Sequence, residues 1–443
     1  MSNRHSWVSW RILSIPICML FIVGCGGGGG GAADAPPAPQ DTAADAAGDG
    51  RISDVPPAAD GMDTDAPEPD SFLWELPSDS ASPDVIVPPP EDHCEAIECL
   101  ECVYYVRTTG SDDGDGTSPG TAFATLQPAL DAAATAASYC CRCEVRAGAG
   151  TYNVFSAGPD DTIALRERVS LLGGYPPELD GARDPTTHET ILDGRAPPES
   201  PGGQVYHVVT GADEATLEGF TITGGYATAE EAPAADTPHF GGGMLNVEVS
   251  PTVKDCVFLD NYAQFGAGVY NVDNAPTFSG CRFEDNYASV EGGGMYNLYS
   301  APILEDPVFV NNQAGGGGGG LVVNGASAAT VTGTGEGGCL FDANTGWGNA
   351  GGVLVDSSEL SISACDFAGN KGATMGGAIL SREATLSVTG CSFQGNWTYV
   401  ECDYTSCGKR GGAVGCEGGV VHVTDSSFTD NEGWSCIEVG GMG

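Results

Sequence analysis

The sequence predicts an all-β chain wound as a single-stranded right-handed parallel β-helix of about 26 residues per coil, with a short N-terminal capping helix. Three observations carry this. A Phe followed three residues later by an Asn recurs seven times: Phe258/Asn261, Phe283/Asn286, Phe309/Asn312, Phe341/Asn344, Phe367/Asn370, Phe393/Asn396 and Phe428/Asn431. The Phe-to-Phe steps are 25, 26, 32, 26, 26 and 35 residues, a period that marks stacked units, each burying its apolar face only against its neighbours. Each pair also stands at a near-fixed distance from a glycine-rich opening: GGGMLN at Gly241, GAGVYN at Gly266, GGGMYN at Gly292, GGGLVVN at Gly318, GGVLVD at Gly351, GGAILS at Gly376 and GGAVGC at Gly411.

From the N-terminus, residues 1–24 read as an export signal. Arg4 and Arg11 precede the apolar run from Ile12 to Val23, which is too short for a permanent membrane span. The end of that run, Ile22-Val23-Gly24-Cys25, resembles the lipobox of bacterial lipoproteins. The resemblance implies that Cys25 is lipidated and becomes the new N-terminus, so that the partner at this end is a membrane. In that family an Asp after the Cys retains the protein at the inner membrane; Gly26 stands here, so the resemblance implies the outer membrane, facing either the periplasm or the medium. An ordinary secretory signal is the alternative.

After Cys25, the rest of residues 25–93 is Gly-, Ala-, Asp- and Pro-rich and reads as a disordered tether, since it lacks the apolar residues for a core. Residues 94–143 read as a cap. Cys94, Cys99, Cys102, Cys140, Cys141 and Cys143 are an even set that disulfides would staple in an exported chain, with a zinc site at Cys99-x-x-Cys102 as the rival. The Ala-rich stretch from Ala124 to Tyr139, with Pro128 near its first turn, predicts the helix that covers the open end of the first coil. Asp112, Asp113 and Asp115 in the loop GSDDGDGTSPGTAF have the alternate spacing of a small calcium loop, although no Glu stands at the twelfth position and a plain Asp/Gly turn fits better. No other cofactor is expected.

Residues 144–443 read as the coils, each expected to hold three short strands joined by bends. A Phe at one coil position puts ring over ring. The Asn is expected in a tight bend, where its amide can donate and accept along the stack. Cys256, Cys281, Cys339, Cys365 and Cys391, each two residues before the Phe, form an inward column and read as small buried residues rather than disulfides or functional thiols.

The repeated GGA(I/M) and FxxN motifs resemble those of bacterial polymorphic outer-membrane protein repeats. The opening YYVRTTGSDDGDGTSPGTAFATLQPALDAA resembles the start of exported right-handed β-helix proteins of the pectate-lyase-like class. Together these resemblances cover roughly residues 103–443 and imply the fold, but the class spans lyases, hydrolases and adhesins, so they imply no single activity.

The formal charge of −44 argues against a nucleic-acid partner and against unaided binding of a polyuronate. Lys371, Arg382, Lys409 and Arg410 are the basic residues of the late coils, with Asp366, Asp403 and Asp425 nearby, and none falls into a recognisable catalytic motif. His207 and His422 sit inside apolar strands. The segment between FxxN and the glycines collects aromatics: Tyr262, Phe265, Tyr287, Trp347, Trp397, Tyr399, Tyr404 and Trp434. Flat rings along one edge suit stacking on sugars, with Glu401, Asp403 and Glu432 as hydroxyl partners; alternatively they shield the coil. The expectation is a monomeric, surface-displayed binding or adhesive module for glycans or another cell-surface partner, with a polysaccharide lyase or glycoside hydrolase as the alternative.

Overall fold

The computed structural model describes residues 21–24, 102–137, 141–197, 202–228, 239–334, 338–398 and 411–433, with the backbone alone for 21–24. Cys25, the tether, Cys94, Cys99, Tyr399, Tyr404, Trp434 and the Glu401 to Arg410 insertion lie outside them. The chain is a right-handed parallel β-helix. Its described strands lie in sheets of nineteen, ten and eight. Among the described residues the antiparallel contacts are Phe21–Gly24 along Val420–Val423 and an isolated Arg195/Gln204 bridge.

A representative coil runs through four strands, Met244–Val247, Thr252–Lys254, Val257–Leu259 and Tyr262–Phe265. The sequence predicts three, with the fourth segment as a turn. Backbone bonding along the stack, such as Tyr287 N to Asn261 O at 3.0 Å and Gln313 N to Asn286 O at 2.9 Å, makes that segment a sheet in its own right.

The place of the ladder Asn also needs correction. The tight bend sits one residue earlier than expected, on the residue before each Asn: Asp260, Asp285, Asn311, Ala343, Gly369, Gly395 and Asp430 have φ between 52° and 62°. Asn, Asp and Gly tolerate this left-handed corner best. Asn261, Asn286, Asn312, Asn344, Asn370 and Asn396 are therefore not the corner residues. They follow the corner, point inward and are buried, which makes them polar members of the core.

Burial is possible because the amides satisfy one another. From Asn261 through Asn286, Asn312, Asn344, Asn370 and Asn396 to Asn431, each side-chain Nδ2 donates to Oδ1 of the next coil's Asn at 2.9–3.0 Å. Each Oδ1 from Asn286 onward also accepts the backbone N–H of the preceding ladder Asn at 3.0–3.2 Å. From Asn286 on, each Nδ2 also donates to the carbonyl of the previous coil's ladder Phe at 2.8–2.9 Å. Beside the amides, the seven Phe rings form one file with centroids 4.5–5.1 Å apart and planes within 10°. A second, shorter file, Asn246 to Asn271 to Asn297, links Nδ2 to Oδ1 at 2.8 Å inside the glycine strands.

The helix spans Leu126–Ala136 and sinks Leu126, Ala129, Leu130 and Ala133 into the same core as Val106, Val145 and Leu171. Its start is capped from a distance, with Asp112 Oδ1 accepting from the N–H groups of Ala124 and Thr125 at 2.8 and 2.9 Å. Cys102 and Cys143 form a disulfide and Cys141 is disulfide-bonded as well, which removes Cys102 from a zinc set. The inward cysteine column needs correction too: Cys339 and Cys365 are joined, whereas Cys256, Cys281 and Cys391 are free and buried. In-register positions of successive coils stand 4.6 Å apart at Cα for this pair, within bridging range, so a column of buried thiols is also a column of potential bridges.

Candidate functional site

The edge sheet aligns Tyr226, Tyr262, Tyr287, Gln313, Thr345, Lys371, Trp397 and Glu432 in one outward file. Register therefore breaks the aromatic row that the sequence suggests. Tyr226, which the sequence does not single out, stacks on Tyr262 at 4.8 Å, and Tyr262 on Tyr287 at 5.3 Å. Rings stacked on each other cover each other's faces and turn their edges to solvent. Further along, Lys371 Nζ lies 5.5 Å from the centre of the Trp397 ring, a cation–π contact that covers one face. The Phe265 ring turns away from this file, although its backbone stays in the edge strand, and packs at 5.8 Å on Phe240 and edge-on to Tyr296 at 5.3 Å. Of the described candidate rings, Trp347 is the most open, at 62 % exposure. The ladder residues Asn312, Asn344, Asn370 and Asn396 lie on the other side of this wall, wholly buried and out of a ligand's reach, so their role is structural.

The segment that carries Phe240, Phe265 and Glu291 in register forms a lip over the outer face of the glycine strands. Under it a small apolar layer of Leu245, Tyr270, Tyr296, Val322, Leu354 and Leu380 is buried. Beside that layer runs another outward file: Val247, Val272, Leu298, Asn324, Asp356, Arg382 and Glu417. It changes from apolar to polar and charged in the last four coils. There Arg382 bonds Asp356 Oδ2 through Nη1 at 3.1 Å, Glu417 Oε2 through Nε at 3.1 Å, and Asn349 Oδ1 through Nη2 at 3.3 Å. Asn349 follows Trp347 by two residues and also accepts from Thr374 Oγ1 at 3.0 Å.

Burial lowers the Arg382 pKa, but the bonds from Glu417 and Asp356 outweigh it and leave the guanidinium more firmly protonated than usual. Glu291 is half-buried next to this group. Burial first, and the Asp356 charge in addition, push its carboxyl above the ordinary range against the pull of Arg382. Tyr296 is pushed up to about 12, chiefly by burial, and its hydroxyl accepts from Asn324 Nδ2 at 2.8 Å. Sequence reading missed this convergence, since Asp356, Arg382 and Glu417 come from three different coils. A signal exists all the same: each stands three residues after the first apolar strand residue of its glycine opening, Val353, Ile379 and Val414.

The calcium reading gains nothing from the geometry. Asp112 caps the helix, Asp115 Oδ1 accepts from Thr117 N, Thr117 Oγ1 and Thr121 Oγ1 at 2.6–3.1 Å, and among the described residues no three His, Cys, Asp or Glu side chains are placed to hold a metal. His207 precedes the strand Val209–Thr210 and does not sit inside one as the sequence suggests; its Nδ1 lies 3.0 Å from Gly241 O, and burial lowers its pKa. A cleft of about 410 Å³ beside the helix is lined by Thr108, Thr125, Gln127, Thr151 and Asn153, and its carboxylate, Asp161, is taken up by the N–H groups of Ser156, Ala157 and Gly158 at 2.6–3.0 Å. Its described lining offers no free acid or base.

No protein-family model matches the chain, and no curated protein does. Among solved structures it is similar to pectate lyase Pel9A, with 14 % identity, a TM-score of 0.38, and coverage of 75 % of this chain and 80 % of that one. It is likewise similar to a pectin methylesterase in complex with a hexasaccharide, at 13 % identity and a TM-score of 0.29 over 75 % of this chain and 88 % of that one. The likeness is one of fold alone.

Proposed function

We propose that this chain is a lipid-anchored surface β-helix that binds glycans across the outer face of its late coils, through the Arg382 group and Trp347. One observation carries the reading. A guanidinium is held on three sides by Asp356, Glu417 and Asn349, and Asn349 follows the exposed Trp347 by two residues; such groups supply fixed, directional partners for sugar hydroxyls and a ring to stack on. The edge tyrosines, with covered faces, stiffen the coil instead. The anchor and the outer-membrane location belong to the same proposal and rest on the sequence around Cys25. Radiolabelled palmitate entering the wild type and not the Cys25→Ala chain supports the anchor; equal labelling refutes it.

A glycan array probed with the full chain tests the binding. The expected result is a defined set of oligosaccharides whose signal falls at least about tenfold in both Trp347→Ala and Arg382→Ala, the loss of roughly 1.4 kcal/mol or more. Binding that survives both changes removes the site. Glu291 favours a second reading: a carboxyl pushed upward near ion-paired carboxylates is the pattern of an acid and its partner in glycoside hydrolysis. A lyase fits less well, because Arg382, the candidate base, is clamped and more strongly protonated than usual. Fragmentation of the bound oligosaccharide during the same incubation into water-added, saturated products decides for the hydrolase, whereas an unsaturated end marks elimination.

A further inference from the structure

The bridge between Cys339 and Cys365 occupies one coil position of the Phe strand, and the same position in earlier coils holds Cys256 and Cys281. The local backbone is the same at both places. In the bridged pair, Asp366 N donates to Cys339 O at 2.9 Å; in the other, Arg282 N donates to Cys256 O at 2.8 Å. The strands that follow are matched residue for residue, Phe341 on Phe367 and Phe258 on Phe283. Cys256 and Cys281 therefore stand on successive rungs with their β-carbons on one inward file, as the bridged pair does.

We infer that Cys256 and Cys281 are a second inter-coil disulfide site, closed during export by a disulfide-bearing oxidant. The step balances: the two thiols release two protons and two electrons, the Sγ–Sγ bond forms, and the oxidant's disulfide is reduced to two thiols. Among the described residues the column admits no other in-register partner. On the far side of Cys256 the position is Phe220, whose carbonyl accepts from Val257 N, and beyond Cys281 it is Pro307, whose neighbour Val308 N donates to Cys281 O at 2.9 Å. Cys391, by contrast, neighbours Cys365, which is already bridged, and its thiol stays free.

Timing follows from burial. In the reduced form both thiols are buried and point at carbonyls, Cys256 Sγ to Lys254 O at 3.2 Å and Cys281 Sγ to Ser279 O at 3.5 Å. Burial pushes Cys256 up to about 12 and Cys281 well above the usual thiol range, so neither offers a thiolate once the coils have closed. The bond has to form while the coils assemble, before water is excluded.

Trypsin would release both cysteines in one peptide, Asp255–Arg282, because no Lys or Arg lies between them. The test exports the full chain through an oxidising compartment, denatures it, blocks free thiols with iodoacetamide without reduction, and digests it. The expected peptide carries no alkyl group and is lighter by two hydrogens than the reduced form. Cys256→Ser should then expose Cys281 to one equivalent of reagent, a readout that does not require the variant to fold well. A peptide with both cysteines alkylated, in a digest where Cys339 and Cys365 remain linked, overturns the inference.

Discussion

A buried amide side chain has two hydrogens and two acceptor sites to satisfy, and the Asn of the next coil, the Asn of the previous coil and the previous coil's Phe carbonyl do so together. The file from Asn261 to Asn431 meets that condition, which is why the recurrence of Asn is legible as a ladder in the sequence alone. Its exact place is not. The spacing puts Asn312, Asn344, Asn370 and Asn396 near a bend, but the preceding residue takes the positive φ and leaves each Asn inside the core. The Phe file is legible for the same reason as the Asn ladder. What the sequence hides at this scale is Glu291, whose neighbours come from other coils and whose chemistry depends on its burial within the lip. Its carboxyl is raised from an ordinary value near 4.5, so the folded state binds its proton more tightly than the unfolded chain does. Stability at this group is thus greatest below about 4.5 and falls as pH climbs through the folded value. Glu291→Gln should melt higher than the wild type near neutrality, with the gap closing as pH drops from about 7 toward about 4. A gap that widens on acidification contradicts the burial of Glu291.

At the scale of the element, the coil corners decide how closely rungs approach. A β-carbon at Gly319 would meet Thr345 O at 2.5 Å and Gly351 O at 2.7 Å, backbone atoms that cannot move without unstacking two coils. Gly390 differs: its φ is +63°, but nothing lies within 4 Å of the added carbon. Gly390→Ala should cost about 1–2 kcal/mol, the left-handed penalty alone, whereas Gly319→Ala should cost about 3 kcal/mol or more through backbone displacement. Denaturant midpoints measure both, and equal midpoints for the two variants contradict the close approach. The glycine openings and the helix are legible, the helix shortened at both ends to Leu126–Ala136. The fourth strand is not, because two-residue strands such as Gln313–Ala314 carry no alternation to read and exist through bonding between coils. The aromatic row fails for a related reason. Proximity to a turn says nothing of register, and register puts Gln313, Thr345 and Lys371 between Tyr287 and Trp397.

Across the described coils, one property joins the fold to the proposed site: the strand residues of one coil have fixed partners in the next. The Arg382 group exists because Asp356, Arg382 and Glu417 fall on one file, and the Cys339–Cys365 bridge closes because its two positions do. Charge acts at this scale as well. With a formal −44, the chain repels anionic polymers over a Debye length of about 8 Å at physiological salt, which favours neutral or cationic glycans over polyuronates. Register itself can be measured directly on the outer face, where Thr330 pairs with Ser361 and Ser361 with Ser387. With Thr330→Cys and Ser361→Cys in one chain, mild oxidation should link the two quantitatively, while Thr330→Cys with Ser387→Cys, two coils apart, should stay unlinked. A bridge in the second chain and none in the first would contradict the stacking on which the architecture, the Arg382 group and the proposed glycan face all depend.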